Sequence, residues 1–165
     1  MPVTRRVSVE RNRLRFAAAH MATFAGTCEP LHGHNYDVIV EVEGDLTGDS
    51  WVWDFGDLKR RAKAVADQLD HRFLLQRDSH LLTSAEHDGA WEIRFENRRY
   101  LFPAADVAAL PIDNTTAERI AEWFAGELLR GFPDESVKTL RKLTVGIEEM
   151  PGQAGWYTVD TGSEG

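Results

Sequence analysis

The sequence predicts an α+β fold in which an antiparallel sheet carries two helices on one face, with a short inserted hairpin. Three observations lead there. Two early segments alternate apolar and polar residues with the period of a strand, two later segments repeat apolar residues at helical spacing behind capping residues, and two more strand-like segments close the chain. The order is strand, strand, helix, hairpin, helix, strand, strand.

The first strand runs from Val7 to His20 and alternates in two pieces, with Leu14, Phe16, Ala18 and His20 on one inward face. In the second, from His32 to Glu43, His32, His34, Tyr36, Val38, Val40 and Val42 share a face opposite Asn35, Asp37, Glu41 and Glu43. Asp54 caps a helix whose Phe55, Leu58, Ala62, Val65 and Leu69 recur at spacings of three and four, ending near Asp70 and His71. Trp91 to Phe95 and Arg98 to Phe102 form a hairpin around Glu96-Asn97, inside an insertion of about residues 77–110. Asn114, Thr115 and Thr116 precede a second amphipathic helix with Ile120, Trp123, Phe124 and Leu128 inward and Gly131 and Pro133 at its end. Lys142 to Met150 and Trp156 to Asp160 are the last two strands. No repeat, linker or low-complexity segment divides the chain, so one domain over residues 1–165 is expected.

Composition narrows the function. The 165 residues carry 19 Lys+Arg against 27 Asp+Glu, a formal charge of −8. That balance opposes a general nucleic-acid binder, which needs cations to displace phosphate counterions. No apolar run approaches the ~18 residues of a membrane helix. Arg5, Arg6, Arg11, Arg13 and Arg15 make the start basic, but Glu10 and the lack of a continuous apolar stretch argue against a targeting segment. Cys28 is the only cysteine, so no intrachain disulfide forms, which fits a reducing, cytoplasmic setting.

The chemistry-bearing residues gather early. His32 and His34, two apart on a strand, point the same way. If the strand ending at His20 pairs antiparallel with the one beginning at His32, a third imidazole joins them. Three imidazoles on one face suit zinc and leave a fourth position open. The alternative is that they are separate surface or core histidines. Cys28, four positions before His32, is a fourth ligand, an inert buried thiol, or a thiolate made reactive by a nearby cation. Glu29 adds a proton acceptor in the same loop. In Asp70-His71 the carboxylate can orient the imidazole, or the pair simply ends the helix. Glu149 shares a strand face with Leu143, Val145 and Ile147, and a carboxylate there needs a partner unless the strand ends and it turns to water. His80, His87, Arg94, Arg98 and Arg99 read as surface residues of the insertion.

Taken together, Phe16-Ala17-Ala18-Ala19-His20, Cys28-x-x-x-His32-Gly33-His34-x-Tyr36, Asp54-Phe55-x-x-Leu58-Lys59, Leu69-Asp70-His71, Thr115-Thr116-Ala117-Glu118 and the late Glu149 resemble the 6-pyruvoyltetrahydropterin synthase and 6-carboxytetrahydropterin synthase family. The resemblance covers most of the chain. It implies the tunnelling fold, a ββααββ subunit usually assembled as a homohexamer. It also implies that His20, His32 and His34 hold zinc, that Cys28, Asp70 and His71 transfer protons, that Glu149 anchors a pterin ring, and that Thr115 and Thr116 add polar contacts near the ring.

The implied substrate is 7,8-dihydroneopterin triphosphate, a small molecule, with neither nucleic acid nor membrane as a partner. The carboxy type, usual for compact chains in the family, would release acetaldehyde and triphosphate, leave a 6-carboxylate, and serve queuosine and deazapurine synthesis. Neighbouring readings are the 6-pyruvoyl enzyme and, because Glu29 sits beside Cys28, a variant that uses a glutamate and forms 6-hydroxymethyldihydropterin. From another class, the rival is a non-catalytic subunit that binds zinc or pterin.

Overall fold

The computed structural model describes Met1 and residues 3–162, with residues 11–13 described in their backbone alone, so the predicted basic cluster at Arg11 and Arg13 lies outside the described side chains. A six-stranded sheet has the order β11-β10-β4-β1-β5-β9, built from β1 (Arg6–His20), β4 (His32–Gly44), β5 (Arg72–Gln76), β9 (Val107–Leu110), β10 (Leu140–Met150) and β11 (Gln153–Asp160). Helices α1 (Phe55–Ala66) and α2 (Ala117–Gly131) pack on one of its faces. A short α3 (Asp134–Thr139) leads into β10.

β1 is a single strand whose ladder with β4 is interrupted between Glu10 and Arg15. That irregularity explains the two-piece alternation. Before it, odd-numbered Val9 is buried; after it, the even-numbered Leu14, Phe16, Ala18 and His20 are. The inner face of β4 follows the expected period, with Tyr36, Val38, Val40 and Val42 buried and Phe16 stacked on Tyr36 at 4.7 Å. Burying each such Val, Leu or Phe stabilises the fold by roughly 1.5–3 kcal/mol.

α1 begins where expected, the Asp54 carboxylate accepting from Asp57 N–H at 2.6 Å. It ends earlier than Asp70, at Ala66, and a turn delivers still-buried Leu69 to the core. Phe55, at the first helical position, is exposed rather than buried. α2 is capped by Thr116, and Ile120, Phe124 and Leu128 are buried as expected, with Trp123 partly so.

Two strands depart from the all-antiparallel expectation. β5 runs parallel to β1, and β9 parallel to β5. Phe73 and Leu75 face a second core while Leu74 faces the first, so β5 is a continuous apolar run without alternation, as strands covered on both faces are. The second core is closed by a three-stranded antiparallel sheet of β6 (Thr83–His87), β7 (Ala90–Phe95) and β8 (Arg98–Pro103). The expected hairpin is β7–β8, turning at Glu96-Asn97 with Glu96 in the left-handed region. Two-residue strands β2 (Thr23–Phe24) and β3 (Thr27–Cys28) pair between β1 and β4.

Gly33 separates the two histidines for a packing reason. A Cβ there would stand 2.8 Å from the Ala18 carbonyl oxygen across the ladder, and backbone cannot give way as a flexible side chain can. Gly33→Ala is expected to lower stability by about 1–3 kcal/mol in urea denaturation. An unchanged midpoint would show that the strands need not approach so closely.

Candidate metal and ligand site

The β1–β4 ladder sets His20 directly opposite His32, and β4 alternation returns His34 to the same side. The ring centroids lie 4.7 Å (His20–His32), 5.2 Å (His20–His34) and 4.9 Å (His32–His34) apart, with one ligand nitrogen from each ring within 4.8 Å of the others. Two of the rings are fixed by backbone carbonyls. His20 Nδ1–H donates to the Thr115 carbonyl at 2.9 Å and His32 Nδ1–H to the Pro30 carbonyl at 2.8 Å. With their protons committed there, the two Nε2 atoms face each other at 3.2 Å as lone pairs. That contact is unfavourable between neutral rings alone and is resolved by a cation, so this donor set fits a metal ion.

Burial drives the His20 pKa down to about 4, with Thr115 opposing the shift and His32 and His34 reinforcing it. The ring is therefore kept in its neutral, metal-binding form.

The three histidines line a cavity of about 480 Å³ together with Glu29, Thr116 and Glu149. Glu149 follows Leu143, Val145 and Ile147 on the inner face of β10, where the ladder with β11 shifts register between Glu148 and Met150. Burial pushes its carboxyl pKa up, an effect that His34 opposes and Glu29 adds to. Gly155 of β11 completes the wall, since a Cβ there would stand 2.6 Å from the Glu118 backbone nitrogen at the start of α2. Tyr36 lies beside His34 with its buried hydroxyl lacking a hydrogen-bond partner among the described residues.

The other candidates are distributed differently. Of the two threonines expected near the ring, Thr116 lines the cavity, whereas Thr115 is fully buried and is not among the lining residues. Cys28 is buried in the second core and is not part of the three-histidine ligand group. Burial raises its thiol pKa against the pull of Arg98. Glu29, in contrast, brings a carboxylate oxygen to 3.8 Å from His32 Nε2.

Asp70 and His71 pair at 2.9 Å, but His71 lines a neighbouring cavity of about 650 Å³ that shares His34 with the first. Their turn is pinned to β1: Asp70 accepts from Ala17 N–H at 2.8 Å and His71 N–H donates to the Ala17 carbonyl at 2.6 Å. The Ala17 bond, followed by His71, holds the Asp70 carboxyl below its ordinary pKa. His71 adopts φ 57°, a left-handed conformation that is costly outside glycine and is held here by these bonds.

Arg98, expected as a surface residue of the insertion, instead reaches the loop before β4. Its guanidinium sits over the Phe95 ring and donates to the carbonyls of Cys28 at 2.7 Å and Glu29 at 3.3 Å, tying the accessory sheet to the loop beside the cavity. Nothing in a hairpin's alternation signals a contact made to a loop 69 residues away.

The depressed His20 pKa has a sign that can be tested in the metal-free chain. Between about pH 6.5 and 4 the unfolded chain takes up a proton that folded His20 refuses, so stability falls as pH drops across that window. His20→Gln is expected to flatten this dependence in urea unfolding at pH 7 and pH 5. Equal slopes for both proteins would contradict the burial argument.

Comparison with known proteins bears on the family and the fold. The family model described as 6-pyruvoyl tetrahydropterin synthase matches residues 9–160. A Methanocaldococcus jannaschii protein assigned as a 6-carboxy-5,6,7,8-tetrahydropterin synthase is 34% identical over 145 residues, which are 87% of this chain and 89% of that protein. The crystal structure of 6-pyruvoyl tetrahydropterin synthase from Plasmodium vivax superposes with a TM-score of 0.90 at 31% identity, covering 96% of this chain and 99% of that one. Among similar structures is a P. vivax variant in which a glutamate described as a catalytic residue is replaced by alanine (TM-score 0.90, 30% identity, 96% and 99% coverage). The chain belongs to the 6-pyruvoyl tetrahydropterin synthase family.

Proposed function

We propose that the chain is a zinc-dependent 6-carboxy-5,6,7,8-tetrahydropterin synthase, converting 7,8-dihydroneopterin triphosphate to 6-carboxytetrahydropterin with release of acetaldehyde and triphosphate. The observation that carries this reading is one cavity with three convergent imidazoles on one wall and the Glu149 carboxylate among its lining residues. The product is the one named for the M. jannaschii relative, and the substrate is what the motif resemblance implies. A role in queuosine synthesis, a homohexameric assembly and a cytoplasmic location belong to the same proposal; no helix among the described residues is long and apolar enough to cross a membrane.

Each residue then has a physical task. His20, His32 and His34 hold zinc, which when bound supplies a Lewis acid for the substrate's side-chain hydroxyls and makes the adjacent protons easier to remove. Glu149 accepts hydrogen bonds from the amino-pyrimidine edge of the pterin. Burial, which raises its pKa, makes such hydrogen bonds more valuable to the carboxylate than they would be in water. Glu29, whose carboxylate lines the cavity, is placed to take the proton, and buried Cys28 lies behind it. His71, oriented by Asp70, is the imidazole that moves protons in the adjoining cavity, whose lining also includes His34.

A second reading, formation of 6-hydroxymethyldihydropterin, is favoured by the position of Glu29 in the cavity; that a glutamate can be catalytic in this fold is what is described for the P. vivax 6-pyruvoyltetrahydropterin synthase, and it is said of that enzyme alone. Incubating the zinc-loaded chain with dihydroneopterin triphosphate and weighing the pterin product separates the readings. A 6-carboxylate is expected, a 6-hydroxymethyl product would establish the second reading, and bound zinc with no product would leave only a binding subunit. Glu29→Gln is expected to keep zinc and lower turnover by about 10²–10⁴-fold, more than Cys28→Ala does. The reverse order would return the base to the thiol.

A further inference from the structure

Apart from tyrosine, tryptophan and cysteine, the fully buried polar side chains among the described residues are His20, Gln76 and Thr115, and all three belong to one hydrogen-bonded chain. His20 Nδ1–H donates to the Thr115 carbonyl, the Thr115 hydroxyl donates to Gln76 Oε1 at 3.4 Å, and Gln76 Nε2 donates to the Met21 carbonyl at 2.7 Å. The chain closes on itself, because Met21 directly follows His20. Gln76 thus grips both of the backbone segments whose separation defines the His20–Thr115 bond.

Those segments are not neighbouring strands, and a second amide joins them one step further out. Asn114 donates through Nδ2 to the Thr23 carbonyl at 2.7 Å and accepts from Thr23 N–H at 2.9 Å, pairing with it as a strand residue would. Its Oδ1 also accepts from Thr115 N–H at 2.9 Å. Gln76 and Asn114 together replace the ladder that this corner of the sheet lacks. A buried primary amide is costly unless its hydrogen bonds are made, so its position at Gln76, closing the apolar run Phe73-Leu74-Leu75 at the end of β5, calls for a specific return.

We infer that Gln76 is a positioning residue: through Thr115 and Met21 it locks His20 in the Nδ1–H tautomer and aims its Nε2 at His32 and His34. A free imidazole can carry its proton on either nitrogen or turn over, and each alternative withdraws the Nε2 lone pair from the cluster. The carbonyl of Thr115 prevents this only while it stays within hydrogen-bond reach of Nδ1. Partners of this kind, behind the ligand rather than on the metal, typically change metal affinity 10–100-fold when removed. The inference rests on the proposed zinc site and names a residue outside it.

Zinc affinity of the full-length protein, measured by competition with a chromophoric chelator, tests it. Gln76→Leu and Thr115→Val are expected to bind zinc about 10–100-fold more weakly than wild type. Cobalt-substituted samples of both should show an altered visible spectrum. Thr115→Ser, which keeps the hydroxyl, is expected to restore both readouts, a rescue that loss of folding stability alone would not produce. Should Gln76→Leu fail to fold, the Thr115→Val and Thr115→Ser pair decides the matter. Wild-type affinity in folded Gln76→Leu, or equal affinities in the two Thr115 variants, would overturn the positioning role while leaving the zinc site standing. A wild-type chain that takes up no zinc would overturn both together.

Discussion

Two neutral imidazoles with their lone pairs turned toward each other across 3.2 Å are the contact from which the site is built. Several independent features conspire to hold it. The β1–β4 register puts His20 and His32 opposite one another, Gly33 lets the strands close at that point, and separate backbone carbonyls take the Nδ1 protons. Left without a cation, such an arrangement concentrates electron density; with one, it becomes a tripod of nitrogen donors. The burial of His20 works in the same direction by disfavouring the protonated ring that would repel a metal.

The rest of the fold arranges other groups around that tripod on two sides. On one lie Glu149 from β10, Thr116 from the start of α2, and Glu29 from the loop preceding β4. On the other lies the Asp70–His71 turn, strained in its backbone and bonded to β1. His34 is among the lining residues of both cavities. The accessory three-stranded sheet has a part in this as well. It buries Cys28 and, through Arg98, grips the carbonyls of the loop from which Glu29 projects.

Much of this was legible in the sequence because it depends on local periodicity. The alternation of β4 placed His32 and His34 on the face of Tyr36, and the alternation of β10 selected Glu149 over Glu148. The caps Asp54 and Thr116 marked both helices. What escaped was what local pattern does not encode. β5 and β9 are covered on both faces, so they carry no alternation, and their parallel pairing links segments distant in sequence. The inward turn of Thr115 and the fate of Cys28 depend on Gln76 and on the accessory sheet, neither of which is adjacent in the chain. Adjacent residues in one loop, Cys28 and Glu29, have opposite surroundings, and nothing in the sequence says which faces the cavity.

The central claim, that three imidazoles hold the metal without the thiol, is most directly tested by zinc K-edge X-ray absorption on the chain loaded with one equivalent of zinc. The account predicts a shell of nitrogen and oxygen donors at about 2.0–2.1 Å with imidazole scattering from three rings. A sulfur scatterer at about 2.3 Å, or fewer than three imidazoles, would contradict it.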